Sequence, residues 1–376
     1  MKILDGIRKV YHSINNSLYQ TLVISSGYLQ SLTEKEMDTQ VEIDFVVTWV
    51  DGNDPEWNAQ REKFATQDKE NGRGNSKERF RDWGVFRYWF RAVEIYAPWV
   101  RRVYLVTSGH VPTWLNEECP KLKIVNHSDF MDDRFLPTFN SVPIELNLHK
   151  IEGISEYFVY FNDDMFLSAP VSPRDFFRCG LPVYCGIAEP VRNDLEDRAH
   201  RHQRFSVTGQ INGKFDAQTY IAKHPEKWFS AIYGTDLKYN IRAFRDGYIS
   251  GFFFSHLATP FRKSTLEAVW KEYGNKLDET CMRKFRTPTD IMHQIFSAWE
   301  IMHGTYIPVD RSFLGKGYNR IDKFLPSIEA DFVNQKCKII CLNDNAGVSD
   351  FDDTRKKLQQ VMASVFVRHS SFEKGD

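Results

Sequence analysis

A mostly parallel β-sheet with helices on both faces is the architecture this sequence predicts, and three observations carry it. Short β-branched and aromatic runs alternate with apolar repeats at three and four residues. Several of those runs break into Asp, Asn and Gly, the chemistry of loops at strand ends. The chain of 376 residues is also long enough to bury a large core without disulfides or structural metals. Strands separated by helices can pair in parallel because each crossover covers one face of the sheet. The second half reads as helical and irregular, completing the domain.

In order along the chain, Ile3, Leu4, Ile7, Val10, Tyr11, Ile14, Leu18 and Leu22 predict a helix with one apolar face within residues 1–40. Docking on the body is preferred to a membrane surface, because the segment has only four Lys/Arg and no Trp. Ile43 to Val50 reads as a strand closed by Asp51-Gly52-Asn53-Asp54-Pro55. Gly72-Arg73-Gly74-Asn75-Ser76 reads as a loop. Trp83, Phe86, Phe90, Val93 and Tyr96 read as a helix stopped by Pro98. Arg102–Thr107 and Leu122–Val125 give two more strands. A helix from about Ile144 to Ser155 leads into the strand Tyr157–Phe161 and its polar end, Asn162-Asp163-Asp164.

Beyond residue 170 the pattern loosens. Helices are expected near 216–246, 264–274 and 288–303, a strand end at Phe252-Phe253-Phe254, a last strand over Phe332–Leu342 and a closing helix over Asp353–Val367. The expected organisation is an amino-terminal helical segment, 1–40, and one α/β catalytic domain, 41–376, with about 175–300 as an acceptor-side helical subregion.

Composition narrows the function classes. With 49 Lys+Arg against 50 Asp+Glu there is no global field for nucleic acid. Six cysteines form no Cys-x-x-Cys pair, so neither a disulfide framework nor structural zinc is expected. No run approaches a membrane span, and charges interrupt the first residues before a signal core can form, so a soluble cytoplasmic protein is expected. The phosphate-binding Gly-rich loops and the serine-hydrolase and zinc-protease motifs are missing.

The chemistry must therefore be local. Asn162-Asp163-Asp164 at a strand end offers hard oxygen ligands for Mg²⁺ against a diphosphate, although a solvated turn or helix cap uses the same residues. Asn343-Asp344 repeats the arrangement, and Asp51 with Asp54 ends the first strand. His256 follows Phe252-Phe253-Phe254 and, taken alone, reads as a structural histidine. Arg286 precedes a helix start and, unless it is an ordinary surface arginine, can grip a phosphate bidentately. The basic group Arg198, His200, Arg201, His202 and Arg204 suits an anionic substrate as well as it suits a charged loop.

Four blocks of sequence resemble the conserved regions of the Stealth proteins, which are sugar-1-phosphate transferases. They are Ile43 to Pro55; Arg79-Phe80-Arg81-Asp82 through Val106-Thr107-Ser108-Gly109 to Leu136-Pro137-Thr138-Phe139-Asn140-Ser141; His149 to Ser155 with Tyr160 to Phe166; and Cys341-Leu342-Asn343-Asp344-Asn345. Chain length and the lack of inserted domains resemble the bacterial branch, which makes capsular polysaccharide.

The resemblance implies a Rossmann-like sheet of the glycosyltransferase-A type and transfer of hexose 1-phosphate from a UDP-sugar to a hydroxyl of a growing glycan, releasing UMP. It implies Thr48, Trp49, Asp51 and Asn162 against the nucleotide sugar, and Asp163, Asn343 and Asp344 at Mg²⁺ or Mn²⁺. Asp164, His256 and Arg286 take catalytic roles, with either His256 or Asp164 as the base. The implied partners are the UDP-sugar and a glycan or lipid-linked oligosaccharide, with no nucleic acid, at the inner face of the cell membrane through peripheral association. The alternatives are a metal-dependent glycosyltransferase releasing UDP and a non-catalytic glycan- or nucleotide-binding subunit.

Overall fold

The computed structural model describes residues 2–33, 41–66, 80–192, 198–344 and 348–375. The loop expected at Gly72–Ser76, together with Arg79 and Asn345, lies outside them. The first half forms α1 (Lys2–Ser31), β1 (Ile43–Thr48), α2 (Pro55–Ala65), α3 (Phe86–Tyr96), β2 (Val103–Thr107), β3 (Leu122–Asn126), α4 (Ser141–Asn147), β4 (Tyr157–Asn162), β5 (Met165–Leu167), β6 (Phe177–Arg178) and β7 (Leu181–Tyr184). The second half forms α5 (Arg198–Lys214), α6 (Ala217–Lys223), α7 (Pro225–Trp228), α8 (Leu237–Asp246), β8 (Thr259–Arg262), α9 (Lys263–Cys281), α10 (Gln294–His303), β9 (Ile307–Pro308), β10 (Gly315–Tyr318), α11 (Ile321–Val333), β11 (Ile339–Leu342) and α12 (Phe351–Val365).

The main sheet has five strands in the order β3-β2-β1-β4-β8. The first four are parallel, and β8 runs antiparallel along β4. β1 is central because Ile43 to Val47 can all be buried, as a strand covered on both faces requires. Its side chains alternate: Ile43, Phe45 and Val47 pack with α3, β11 and α12 on one face, whereas Val46 packs with Tyr160, α4, α9 and α10 on the other. Asp44, fully buried on this second face, accepts from Arg101 Nε at 2.8 Å and from the Ser155 amide at 2.7 Å. Without those donors the buried carboxylate would be costly.

Parallel strands that start together also end together. Thr48 pairs with Asn162, and Val106 lies beside Thr48 on the other side, so the loops after β1, β2 and β4 share one edge. β8 begins at Thr259 opposite Tyr160, which brings the segment before it, including His256, to the same edge. A smaller sheet, β10-β11-β5, delivers the end of β11 there too, through the Leu342 amide donating to the Asp164 carbonyl at 2.8 Å.

Three sequence expectations are corrected. Phe252-Phe253-Phe254 is not a strand: Phe252 and Phe254 stack at 5.7 Å, and the ladder to β4 is made by Thr259–Arg262 instead. Phe332 to Leu342 is not one strand either, because α11 runs to Val333 and Gln335 then takes a left-handed φ of 49°, leaving Ile339–Leu342 to pair. The helix expected over Ile144–Ser155 is shorter and earlier, since Asn140 caps it by accepting from the Val142 amide at 3.1 Å.

Candidate active site

At the shared edge, β1 supplies a flat aromatic corner. Trp49 stacks on Phe86 with ring centres 5.6 Å apart and planes 5° from parallel. Asp51 turns the chain by accepting from the Asn53 amide at 2.9 Å, while its own amide donates to His110 Nδ1 at 3.2 Å. Gly52 is obligatory: a Cβ there would lie 1.6 Å from the Phe80 carbonyl oxygen. Asp54 caps α2 and lies 3.7 Å from His110 Nε2. Burial and the neighbouring His110 push His127 down to about 4, so this corner holds a neutral imidazole at pH 7.

β4 supplies the polar line that joins most of the expected site residues. Tyr160 has one hydroxyl proton, and its shortest contact, 2.5 Å, is to Asn162 Oδ1; Thr48 Oγ1 lies 3.2 Å from the same hydroxyl. With Oδ1 taken, Asn162 presents Nδ2 to His256 Nε2 at 3.2 Å. The other ring nitrogen, Nδ1, lies 3.4 Å from Cys341 Sγ, and that thiol donates to Asp164 Oδ2 at 3.4 Å. Burial and then Asp164 push the Cys341 thiol up, which keeps its proton on sulfur. His256 is exposed, so one edge of its ring meets solvent while Cys341 and Asn162 set its orientation.

The acids fall into two environments. Asp164 Oδ1 is buried and has no hydrogen-bond partner among the described residues. An unpaired buried carboxylate oxygen is expensive, and a cation is the ligand that would remove the cost. Asp163 reaches solvent, yet protein crowds the turn around it and Asp164 and Asp82 add like charge. The crowding first, and then the two carboxylates, push its carboxyl up, to about 7. Asp82, from the loop before α3, thus belongs to this acidic group. Asp344 does not present a bare carboxylate: its Oδ1 accepts from Arg81 Nη2 at 2.6 Å and its Oδ2 from Arg81 Nε at 2.9 Å and Trp83 Nε1 at 3.2 Å. Asn343 points to Asn319, 3.4 Å from its side-chain oxygen.

Arg286 enters from the loop between α9 and α10. Its Nη2 donates to Ser141 Oγ at 2.6 Å at the start of α4. Buried Asp290 fixes that loop, accepting from the Thr287 amide at 2.9 Å, Arg283 at 2.9 Å and Asn140 at 3.1 Å. One turn along α4, Glu145 lies 2.5 Å from His293 Nδ1 and 3.2 Å from the Tyr160 hydroxyl. Burial alone would push the Glu145 carboxyl up, but His293, Arg286 and Ser141 overcome it and hold it near 2. Arg286 and His256 are therefore joined through Glu145, Tyr160 and Asn162.

Sequence reasoning missed Glu145, His293, Tyr160, Asp82 and the sulfur of Cys341. The available signal for Glu145 was a carboxylate in the otherwise apolar run Val142-Pro143-Ile144-Glu145-Leu146. Of the basic group, Arg201 donates to the Arg192 carbonyl at 2.9 Å and buried Gln203 ties α5 to the Thr287 carbonyl at 2.8 Å, which places α5 beside the Arg286 loop. The side chains of Arg198 and His200 are not among those described.

A mostly parallel sheet with acids, a histidine and an arginine line at the carboxyl ends of its strands suits the handling of phosphorylated substrates. Residues 41–69 match Stealth protein conserved region 1, and residues 79–182 match conserved region 2. The chain is 36% identical over 339 residues to the capsular polysaccharide phosphotransferase WcwK of Streptococcus pneumoniae, spanning 88% of this chain and 99% of that one. It is 37% identical, with the same coverage of both chains, to the receptor polysaccharide phosphotransferase WefC of Streptococcus oralis. The chain belongs to the Stealth family of phosphotransferases. Among solved structures, galactosyltransferase LgtC overlaps 85% of this chain and 95% of its own at 9% identity and a TM-score of 0.37, a distant likeness that says nothing of the chemistry.

Proposed function

We propose that this enzyme transfers hexose 1-phosphate from a UDP-sugar to a hydroxyl of a growing capsular or extracellular polysaccharide, at the cytoplasmic face of the membrane. The observation that carries the reading is the convergence of Asp163, Asp164, Asn162, His256 and, through Glu145, Arg286 at one sheet edge. The acceptor oxygen attacks the β-phosphorus, the bond from that phosphorus to the bridging oxygen breaks, and UMP leaves with the electron pair. The acceptor proton goes to His256 Nε2, with the acceptor hydroxyl taking the place of the Asn162 amide that donates to that nitrogen in the free enzyme. His256 is preferred to Asp164 as base because its ring is exposed, whereas the unpartnered Asp164 oxygen is buried.

A divalent cation fits the residues present. Asp164 Oδ1 lacks a partner, and Asp163 gathers like charge with Asp164 and Asp82. Asp164, His256 and Cys341 also offer ligand atoms within 4.8 Å of one another, but a protonated thiol is a poor ligand for a hard ion. Asp163 and Asp164 would hold Mg²⁺ or Mn²⁺, with Asn343 and Asp344 next to them only if their present partners release them. Such an ion neutralises charge on the diphosphate as UMP departs. Trp49, Thr48 and Asp51 form the corner for the nucleotide, and Arg286 is assigned to the transferred phosphate.

The test is incubation with a UDP-sugar, Mg²⁺ and a glycan acceptor. UMP release with a phosphodiester signal in the ³¹P spectrum is the expected result. UDP release would mean plain glycosyl transfer, and binding without turnover would mean a non-catalytic subunit.

A further inference from the structure

Helix α1 seats only some of its apolar residues against the protein, Val23 and Ile24 among them. Among the residues of α1 whose side chains are described, Gln20 and Gly27 are buried toward the body, with half-buried Val23, Ile24 and Ser31 on the same face. A Cβ on Gly27 would lie 2.4 Å from the Pro225 carbonyl oxygen at the start of α7, so small size is what lets the helix seat there. Ser31 Oγ accepts from the Ala231 amide at 3.1 Å. About half a turn away, Leu18, Leu22 and Leu29, with Leu32 in the turn that follows the helix, are 58, 60, 63 and 61% exposed. On a helix of 3.6 residues per turn these four leucines fall within about 80° of arc. The sequence repeats the same period upstream at Ile3, Leu4, Ile7, Tyr11 and Ile14. An exposed apolar row such as Leu18, Leu22, Leu29 and Leu32 marks an interaction site.

The occupant can be argued from the pattern. A coiled coil with a second copy needs a heptad seam, and the seam through Leu18, Leu22, Leu29 and Leu32 would place the polar Ser25 at its centre. The positions flanking a seam normally carry charges that set register. From residue 10 to residue 33 the sequence contains no Asp, Glu, Lys or Arg, and exposed Tyr19 and Tyr28 flank the stripe with the amphipathic side chain suited to a bilayer interface. The first nine residues add Lys2, Arg8 and Lys9 against Asp5. No helix among the described residues is long and apolar enough to cross a membrane.

We propose that the leucine stripe at the end of α1 lies in the surface of an anionic lipid bilayer and mounts the enzyme on it, with the helix held to the body by the opposite face of Gln20, Val23, Ile24, Gly27 and Ser31. The inference does not depend on the transferase chemistry. Co-sedimentation of the full chain with phosphatidylcholine vesicles, with and without phosphatidylglycerol, tests it. Binding is expected, stronger with phosphatidylglycerol, and weakened at least about tenfold by Leu18→Ser, Leu22→Ser, Leu29→Ser and Leu32→Ser together. Single Leu22→Glu should weaken it severalfold and serves if the combined variant fails to fold. Undiminished binding of the variants would overturn the assignment. So would failure of the native chain to bind either vesicle, whether it is then monomeric or forms a dimer that the same substitutions dissociate.

Discussion

β4 and β11 end in the same dipeptide, and the structure treats the two ends oppositely. After β4, Asn162 is held by Tyr160 and His256, Asp163 is crowded with like charge, and Asp164 keeps one buried oxygen without a partner. After β11, Asn343 faces Asn319 and both oxygens of Asp344 accept from Arg81, whose guanidinium also lies 4.5 Å over the Phe351 ring. One Asn-Asp pair is left short of positive charge; the other is already supplied. A motif therefore names a chemistry only once its neighbours are known. On this comparison we propose that Asp344 serves by holding the Arg81 guanidinium in place rather than as a direct cation ligand.

The comparison can be broken by substitution. Asp164→Asn should lower turnover by about a thousandfold, ~4 kcal/mol of transition-state stabilisation, with the fold retained; a rate near that of the native enzyme would remove Asp164 from the chemistry. Arg286→Ala should cost about a hundredfold, ~2.7 kcal/mol, and Arg286→Lys should recover only part of it, because an ammonium cannot make a bidentate contact. Asp344→Asn should cost about tenfold and a few degrees of Tm, leaving the Mg²⁺ concentration for half-maximal rate unchanged. A large rise in that concentration would show that Asp344 binds the cation directly.

The smallest effect sharpens the β4 side. Because Asp163 titrates near 7, well above an unfolded aspartate, its ionised form is disfavoured in the folded protein. The stability it contributes is present at low pH and is lost as pH rises from about 4 through 7. A cation reverses that penalty, so the Tm gain from Mg²⁺ should be larger at pH 8 than at pH 6, and Asp163→Asn should flatten the difference. Equal gains at both pH values would place the cation elsewhere.

Much of the frame was legible in sequence. β1, β2 and β4 are buried, β-branched or aromatic runs whose ends are polar, and those signals are local. α11 was not legible because Pro326 interrupts its pattern, and β8 was not because Pro260 weakens the strand reading. The Stealth-like blocks contain Asp163, Asp164 and Asp344, and the wider resemblance implied His256 and Arg286. Nothing local could show that Glu145 and His293 join Arg286 to Tyr160, since those contacts cross 15 to 148 positions of chain.

By itself the sequence determined which segments could be buried, where strands must end in turn formers, and the inventory of acids, histidine and arginine available for phosphoryl transfer. Tertiary structure alone decided which of two identical Asn-Asp ends lacks a counter-charge, and which face of α1 meets the body. Burial and secondary structure follow from neighbours along the chain, whereas the charge state and partners of a carboxylate, like the exposure of a leucine, depend on groups that only folding brings near.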